Sequence, residues 1–311
     1  MTRGGGRRYD EVDGLLLLNK PPGMTSNRAL QTVRRLLNAK KAGHTGSLDP
    51  SATGMLPLCF GEATKVCAFL LDADKTYRVT ARLGTATSTG DADGGETIAT
   101  AEVPELSFDA WNEILQGFTG ESMQVPPMYS ALKKDGKRLY ELARQGKTVE
   151  RDARPVRIDD ISLLEAAGKR LVFRVTCSKG TYIRVLVEDI ARQAGTVGHT
   201  LRLHRETVGD FRAEDMVDLA TVEAQVEEDR QRFREGLLDA DVALTGLAAV
   251  TTAAGDGQRF RGGQAVQVDA DGDLGPVRVY AAGGEFLGVG ELSENGQLAP
   301  RRVFKSSEKT P

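Results

Sequence analysis

The sequence predicts an α+β fold: a larger unit built on a mixed sheet, followed by a small β-rich unit of barrel type. Two observations carry this. Strand-like and helix-like segments alternate without the regular repeat of a doubly wound fold. After about residue 245 the texture changes to dense glycine and short apolar runs between turn signals. A chain of 311 residues also exceeds the roughly 100 to 200 residues of one domain.

In chain order, the opening MTRGGGRRYDEVDG has arginines but no apolar run behind them, so residues 1–13 read as a flexible basic leader and not as a secretory signal. Leu15 to Leu18 reads as a strand stopped by Pro21-Pro22-Gly23. Thr25 or Ser26 then caps a helix whose apolar positions are Ala29, Leu30, Val33, Leu36 and Leu37. Tyr77, Val79, Ala81 and Leu83 alternate with polar neighbours, as do Leu171, Phe173, Val175 and Cys177, and both are half-buried strands. Ile183, Leu186, Val187, Ile190, Ala191 and Ala194 have helical spacing, and Gly195 ends that helix. Glu214 to Asp241 is acidic and helical in composition. Short strands are expected at 265–268, 277–280 and 286–289. We expect a larger unit over 14–244, a smaller one over 245–304 and a disordered tail over 305–311.

Composition excludes several classes. With 40% hydrophobic and 27% charged residues the chain is not of disordered type. No apolar run approaches the roughly 18 residues of a membrane span, and we place the protein in the cytoplasm. Cys59, Cys67 and Cys177 form no CxxC pair and read as buried apolar residues; with only His44, His199 and His204 besides, no metal is expected. The net charge of −3 is unevenly spread. Asn19 to His44 holds six basic residues and no acid, residues 133–157 hold nine basic against four acidic, and 89–123 hold eight acids and no base. Local basic patches suit a polyanion, although charge alone does not separate phosphate contacts from solvated helix faces.

The densest cluster of turn and polar residues is Gly43-His44-Thr45-Gly46-Ser47-Leu48-Asp49-Pro50-Ser51-Ala52-Thr53-Gly54. Asp49 before Pro50 suits an ordinary turn. It also suits a nucleophile, because an aspartate with a pKa near 3.9 is ionised at neutral pH without a general base. That role needs a cation within about 4 to 6 Å to hold and orient it. Taken singly, Tyr77 suits a core aromatic, Arg184 an i,i+4 surface pair with Glu188, and His44 a turn.

The loop resembles the active-site motif of the TruB family, the bacterial tRNA pseudouridine-55 synthases. Further stretches are similar to that family in the same order. They are Leu18 to Ser26, Lys75-Thr76-Tyr77, Lys179 to Arg184, and Pro126 to Lys133 with Gly136, Arg138 and Tyr140. The likeness covers about residues 14–211, and a weaker one to the family's PUA domain covers 247–304, with Gly262 to Val266 the best-matching piece. It implies a cofactor-free isomerase that turns the T-loop uridine of tRNA into pseudouridine. Asp49 would be the nucleophile, Arg184 its ion-pair partner and Tyr77 the platform for a flipped uracil. His44 would fill the space vacated in the RNA loop, Tyr182 and Leu203 would line the base pocket, and Lys20 and Pro21 would support the loop. Stacking of about 1 to 3 kcal/mol per base offsets part of the cost of extruding it. The insertion at about 124–152 would grip RNA at the T-arm, and the PUA-like unit would touch the acceptor-stem side. A tRNA-folding chaperone activity would accompany this, with no obligate protein partner. Attack at base C6, attack at sugar C1′ and a glycal route all stay open.

In this family the pocket leucine precedes two arginines, whereas here Leu203 is followed by His204, Arg205 and Glu206, which puts a contact from position 204 in doubt. Two other classes compete: a tRNA-binding protein without catalysis, and a nucleoside hydrolase, which would normally need two carboxylates where this loop supplies one.

Overall fold

The computed structural model describes residues 9–93, 95–134, 136–269 and 274–305. β1 (Gly14–Lys20) carries the leucine run and stops at Pro21, which has no amide to continue a ladder. Thr25 caps α1 (Ser26–Leu36), its hydroxyl accepting from the Arg28 amide at 3.1 Å. β2 (Ala42–His44) and β3 (Thr53–Phe60) flank the polar loop. After a 3-10 turn and α2 (Cys67–Asp72), β4 (Lys75–Leu83) turns Val79, Ala81 and Leu83 inward and Arg78 and Arg82 to solvent.

The acidic region folds as the hairpin β5 (Thr85–Thr87) and β6 (Thr97–Thr100), then α3 (Phe108–Gln116) and β7 (Gly120–Gln124). A small hairpin, β8 (Lys133–Lys134) and β9 (Lys137–Arg138), and α4 (Leu139–Ala143) precede the long pair β10 (Arg154–Ala167) and β11 (Arg170–Cys177). The basic stretch 133–157 is therefore no helix face. α5 (Ile183–Gln193), β12 (Gly198–Val208), β13 (Val217–Asp218) and α6 (Leu219–Glu235) follow.

These strands form one nine-stranded sheet in the order β13-β1-β3-β12-β4-β11-β10-β7, with β2 also on β3. The sheet is mixed because β1 with β13 and β3 with β12 are parallel. α1 and α6 cover the leucines of β1 and β3, while α3 and α5 cover β4, β10 and β11. Between these two helical layers β3 and β12 meet at only two positions, Thr53 with His204 and Gly54 with Arg205. The polar loop emerges at this junction.

Gly54 is what permits it. Its φ is +101°, and a Cβ there would lie 2.2 Å from the Arg205 carbonyl oxygen. Gly54→Ala is expected to destabilise the chain by about 3 kcal/mol or more, read as a lower urea midpoint at unchanged slope.

The smaller sheet is a curled half-barrel. It comprises β14 (Ala249–Thr251), β15 (Val266–Gln267), β16 (Gly275–Tyr280), β17 (Phe286–Leu292) and β18 (Gln297–Val303), ordered β14-β16-β17-β18-β15. The expected strands at 266, 277 and 286 are present; β14 and β18 were not legible, having too few apolar residues in alternation. Leu15 and Cys59 on the larger sheet pack with Leu244, Val289 and Phe304, so the two units share a core.

Two expectations need correction. Residues 214–241 are not one helical segment but a 3-10 turn, β13, α6 and a second 3-10 turn. α6 itself breaks at Asp229 (φ −153°, ψ 96°), whose carboxylate accepts from the amides of Gln231 and Arg232 and so caps a new turn in mid-helix. The expected leader lies outside the described residues over 1–8, but its last part is anchored. The Asp10 carboxylate accepts from Arg234 and Asn38, and Val12 is buried against α1 and α6. Of the expected tail only Lys305 is described; its amide donates to Glu62.

Candidate active site

The polar loop is clamped from several directions before its carboxylate is considered. The buried Ser26 hydroxyl accepts from the Leu48 amide at 2.8 Å and donates to the Leu48 carbonyl at 3.2 Å. Lys20, fully buried, donates its ammonium to the carbonyls of Pro21, Met24 and Pro50. Burial pushes that ammonium down to about 8. Arg205, 1% exposed, donates from Nε to Met55 O at 2.7 Å and from Nη2 to Gly46 O at 3.0 Å. Residues on β1, α1, β3 and β12 thus hold a loop with no regular structure of its own, which is the pre-organisation a reacting group needs.

Asp49 stands at the loop's apex with its side chain 39% exposed, and Arg184 approaches from the first turn of α5. Arg184 Nε lies 3.0 Å from Asp49 Oδ2. The guanidinium is itself fixed, donating from Nη1 to Thr89 O at 2.7 Å and from Nη2 to Tyr129 O at 2.6 Å. Asp91 Oδ2 lies 3.8 Å from Nη1. Burial pushes the Asp49 carboxyl above its ordinary range; Arg184 opposes this and Asp91 adds to it. The arrangement is an oriented carboxylate open to solvent on one side and gripped by a buried cation on the other.

The other expected residues fall around this pair. Tyr77 lies on the inward side of β4 against the core under α5, opposite Arg205 in register, and burial pushes its phenol up. Leu203 packs on the same core opposite Val79. Tyr182 caps α5 and is pinned by Gln124, whose side chain accepts from its amide at 2.8 Å and donates to its carbonyl at 3.2 Å. His44 ends β2 opposite Leu58; its buried Nδ1 has no hydrogen-bond partner among the described residues, and burial lowers its pKa. Pro21 is one of the three carbonyls on Lys20.

Four residues in this frame had no site role assigned from sequence: Ser26, Asp91, Gln124 and Arg205. Asp91 was hidden among eight acids counted as one segment. Arg205 carried a signal, since it stands at the second arginine of the family pattern. At the first, His204 shares a 2.8 Å hydrogen bond with Thr53, and Glu206 pairs with Arg174 at 2.8 Å. Position 204 is therefore used within the sheet.

Residues 34–183 match the description "TruB family pseudouridylate synthase (N terminal domain)", 184–245 "tRNA pseudouridylate synthase B C-terminal domain" and 248–304 "Pseudouridine synthase II TruB, C-terminal". A tRNA pseudouridine synthase B of Nitrosococcus oceani is 49% identical over 302 residues, covering 96% of this chain and 98% of that protein. This chain belongs to the TruB family of pseudouridine synthases. Another TruB relative, tRNA pseudouridine synthase B of Aromatoleum aromaticum, is 51% identical over 296 residues, covering 95% of this chain and 94% of that one. Among solved structures, a chain of a Cbf5-Nop10-Gar1 complex superposes with a TM-score of 0.71 at 26% identity, covering 94% of this chain and 84% of that one. The mixed sheet is thus the TruB-type scaffold, and membership makes this chain an isomerase.

The basic residues of α1 and of the 133–147 segment divide by what they already hold. Arg28 and Arg35 on α1 are exposed, as are Lys133, Lys134, Lys137, Arg138, Arg144 and Lys147; of these Arg35 donates to Gln31 O at 2.9 Å within its own helix and Lys134 to Glu150 O at 2.6 Å. Arg34 is not free for RNA. It donates to Ala39 O at 3.0 Å, to Lys40 O at 2.9 Å and to Gln31, closing the turn after α1. Arg34→Ala is expected to lower stability by about 1 to 3 kcal/mol by orphaning those carbonyls, whereas Arg35→Ala leaves the melting temperature within about 1 °C. Thermal unfolding of the two variants checks this.

Proposed function

We propose that this chain converts the T-loop uridine at position 55 of tRNA to pseudouridine, with Asp49 as the covalent nucleophile and the target base flipped into the cleft. The observation that supports this most is the buried Arg184 guanidinium holding the Asp49 carboxylate at 3.0 Å, at the apex of a loop clamped by Lys20, Ser26 and Arg205. A carboxylate facing a polyanion costs affinity unless it does chemistry, and this one is held and oriented by Arg184 before substrate arrives.

Pseudouridine formation breaks the C1′–N1 bond, forms C1′–C5, releases the C5 proton to solvent and returns a solvent proton to N1, with no net gain or loss of atoms. A single carboxylate suffices as the nucleophile, whichever carbon it meets first. Tyr77 stacks on the extruded uracil, Leu203 and Tyr182 border it, and His44 occupies the gap left in the RNA loop. Exposed cations of α1 and of the 133–147 segment hold the T-arm phosphates, and the smaller sheet reaches the acceptor-stem side. The same contacts let the chain hold tRNA without turning it over, which is the basis of an accompanying folding activity. Its place of action is the cytoplasm; no helix among the described residues is long and apolar enough to cross a membrane.

The test is tritium release from C5-labelled uridine in an unmodified tRNA transcript, using the purified chain in EDTA. One equivalent of tritium per tRNA is expected, and none from a transcript with cytidine at position 55. No release from the first transcript would end the reading; equal release from both would end the assignment to position 55.

A further inference from the structure

The face of the sheet opposite Asp49 carries a second charged surface. β4 turns Tyr77 and Val79 toward α5 and the cleft, and Arg78 and Arg82 away from them. Cross-strand register extends this into rows. Arg78 lies opposite Arg174 on β11 and His204 on β12; Thr80 lies opposite Val172 and Arg202; Arg82 lies opposite Arg170 and the buried His199. Strands are about 4.8 Å apart and rise about 3.4 Å per residue, so five arginines share a patch of about 10 by 14 Å. All five are exposed.

Two are neutralised: Arg174 by Glu206 at 2.8 Å and Arg170 by Glu165 at 3.4 Å. Arg78, Arg82 and Arg202 have no ion pair or hydrogen bond among the described residues, and Asp160, opposite Thr176 one row away, is a further acid on this face. Like charges directly opposite in a ladder are destabilising, and an anion laid across them reverses the sign. The rows hold threonines, one valine, the buried His199 and His204 but no Phe, Tyr or Trp on which a base could stack. The surface therefore suits backbone phosphates and not bases.

We propose that this arginine face binds the phosphate backbone of RNA independently of sequence, as a contact surface separate from the cleft that holds Asp49. Charge complementarity selects the occupant: three unpaired guanidiniums on a flat, polar sheet offer charge-assisted hydrogen bonds to successive phosphates. The inference rests on the proposed function only in taking RNA as the polyanion this chain meets. Because none of the three arginines holds another part of the chain, replacing them leaves the fold and the cleft intact.

The probe is fluorescein-labelled oligocytidine, which offers the cleft no uridine, with binding followed by anisotropy across a salt series. The triple variant R78A/R82A/R202A is expected to bind it at least about tenfold more weakly, with a log–log salt slope shallower by about 2, since each single-strand phosphate contact contributes about 0.7. R78K/R82K/R202K should keep the slope, and Asp49→Asn should bind like the wild type. Tritium release from a T-arm stem–loop by the alanine variant should stay at the wild-type rate, which separates this surface from the proposed reaction and reports that the variant is folded. Oligocytidine that fails to bind wild type, or that binds the alanine variant with unchanged affinity and slope, would overturn the proposal whatever the tritium assay gives. Displacement by polyglutamate at lower concentration than by unlabelled RNA would assign the face to an acidic protein and overturn it too.

Discussion

Replacing Asp49 with Asn should lower the single-turnover rate of tritium release by about 10⁴-fold or more while leaving tRNA affinity unchanged or slightly higher. Asn keeps the shape of Asp but not a nucleophilic carboxylate, and removal of a covalent nucleophile is among the largest losses a single side chain can produce. The fold should hold. Arg184 keeps its bonds to Thr89 O and Tyr129 O, Leu48 keeps its bonds to Ser26, and a side chain 39% exposed carries little of the core. Affinity should hold because the change removes a negative charge facing a polyanion. Single-turnover tritium release and filter binding on the same preparation check both halves. Loss of rate and binding together would mean that Asp49 holds the fold or the RNA instead of acting on it.

Changing Arg184 should be nearly as costly, and its pH dependence separates two ways of failing. Arg184→Lys retains a cation but cannot satisfy Asp49, Thr89 O and Tyr129 O together from one ammonium, so the carboxylate loses its fixed direction. A fall of about 100-fold or more in the single-turnover rate is expected, with the acid limb of the pH profile near its wild-type position. Arg184→Met removes the charge as well. Burial raises the Asp49 carboxyl, and Arg184 is the largest influence lowering it, ahead of Lys20. Without Arg184 the carboxyl rises further. Activity requires the ionised form, is present above that pKa and is lost as pH falls through it, so the acid limb moves to higher pH in the methionine variant. A methionine variant with a wild-type acid limb would show that Arg184 does not set the ionisation of Asp49.

The elements that carry this site were legible because each is a short run of chain with its own local signal, whereas the roles of Tyr77, Arg184, His44, Tyr182 and Leu203 came from the family resemblance. The glycines and proline around Asp49 specify a loop, the alternation around Tyr77 a strand, and the periodicity from Ile183 a helix that carries Arg184 at its start. What alternation and periodicity do not encode is which residues fix these pieces against one another. Ser26 looked like a second helix-cap candidate, and only the packing of α1 against the loop turned its hydroxyl onto Leu48. Gln124 carried no local signal, yet its amide closes on Tyr182, which is 58 residues away in the chain. Arg34 and Arg35 were indistinguishable as neighbouring cations until helix geometry gave one to Ala39 O and Lys40 O and left the other exposed. The break in α6 escaped for a related reason: an aspartate suits an exposed helix position and a cap about equally well.

By itself, the sequence determined the α+β class, the positions of the main strands and helices, and the set of chemically competent side chains, because these depend on the period of apolar residues and on intrinsic reactivity. The family resemblance implied that Asp49 and Arg184 pair, but the tertiary structure alone brought these residues, 135 positions apart in the chain, to 3.0 Å and placed Asp91, Gln124 and Arg205 in their surroundings. It also decided which arginines are committed to the fold and which remain open to a partner. Those outcomes rest on long-range register, on burial and on the requirement that buried polar groups be hydrogen-bonded, and these come into being only when distant segments pack.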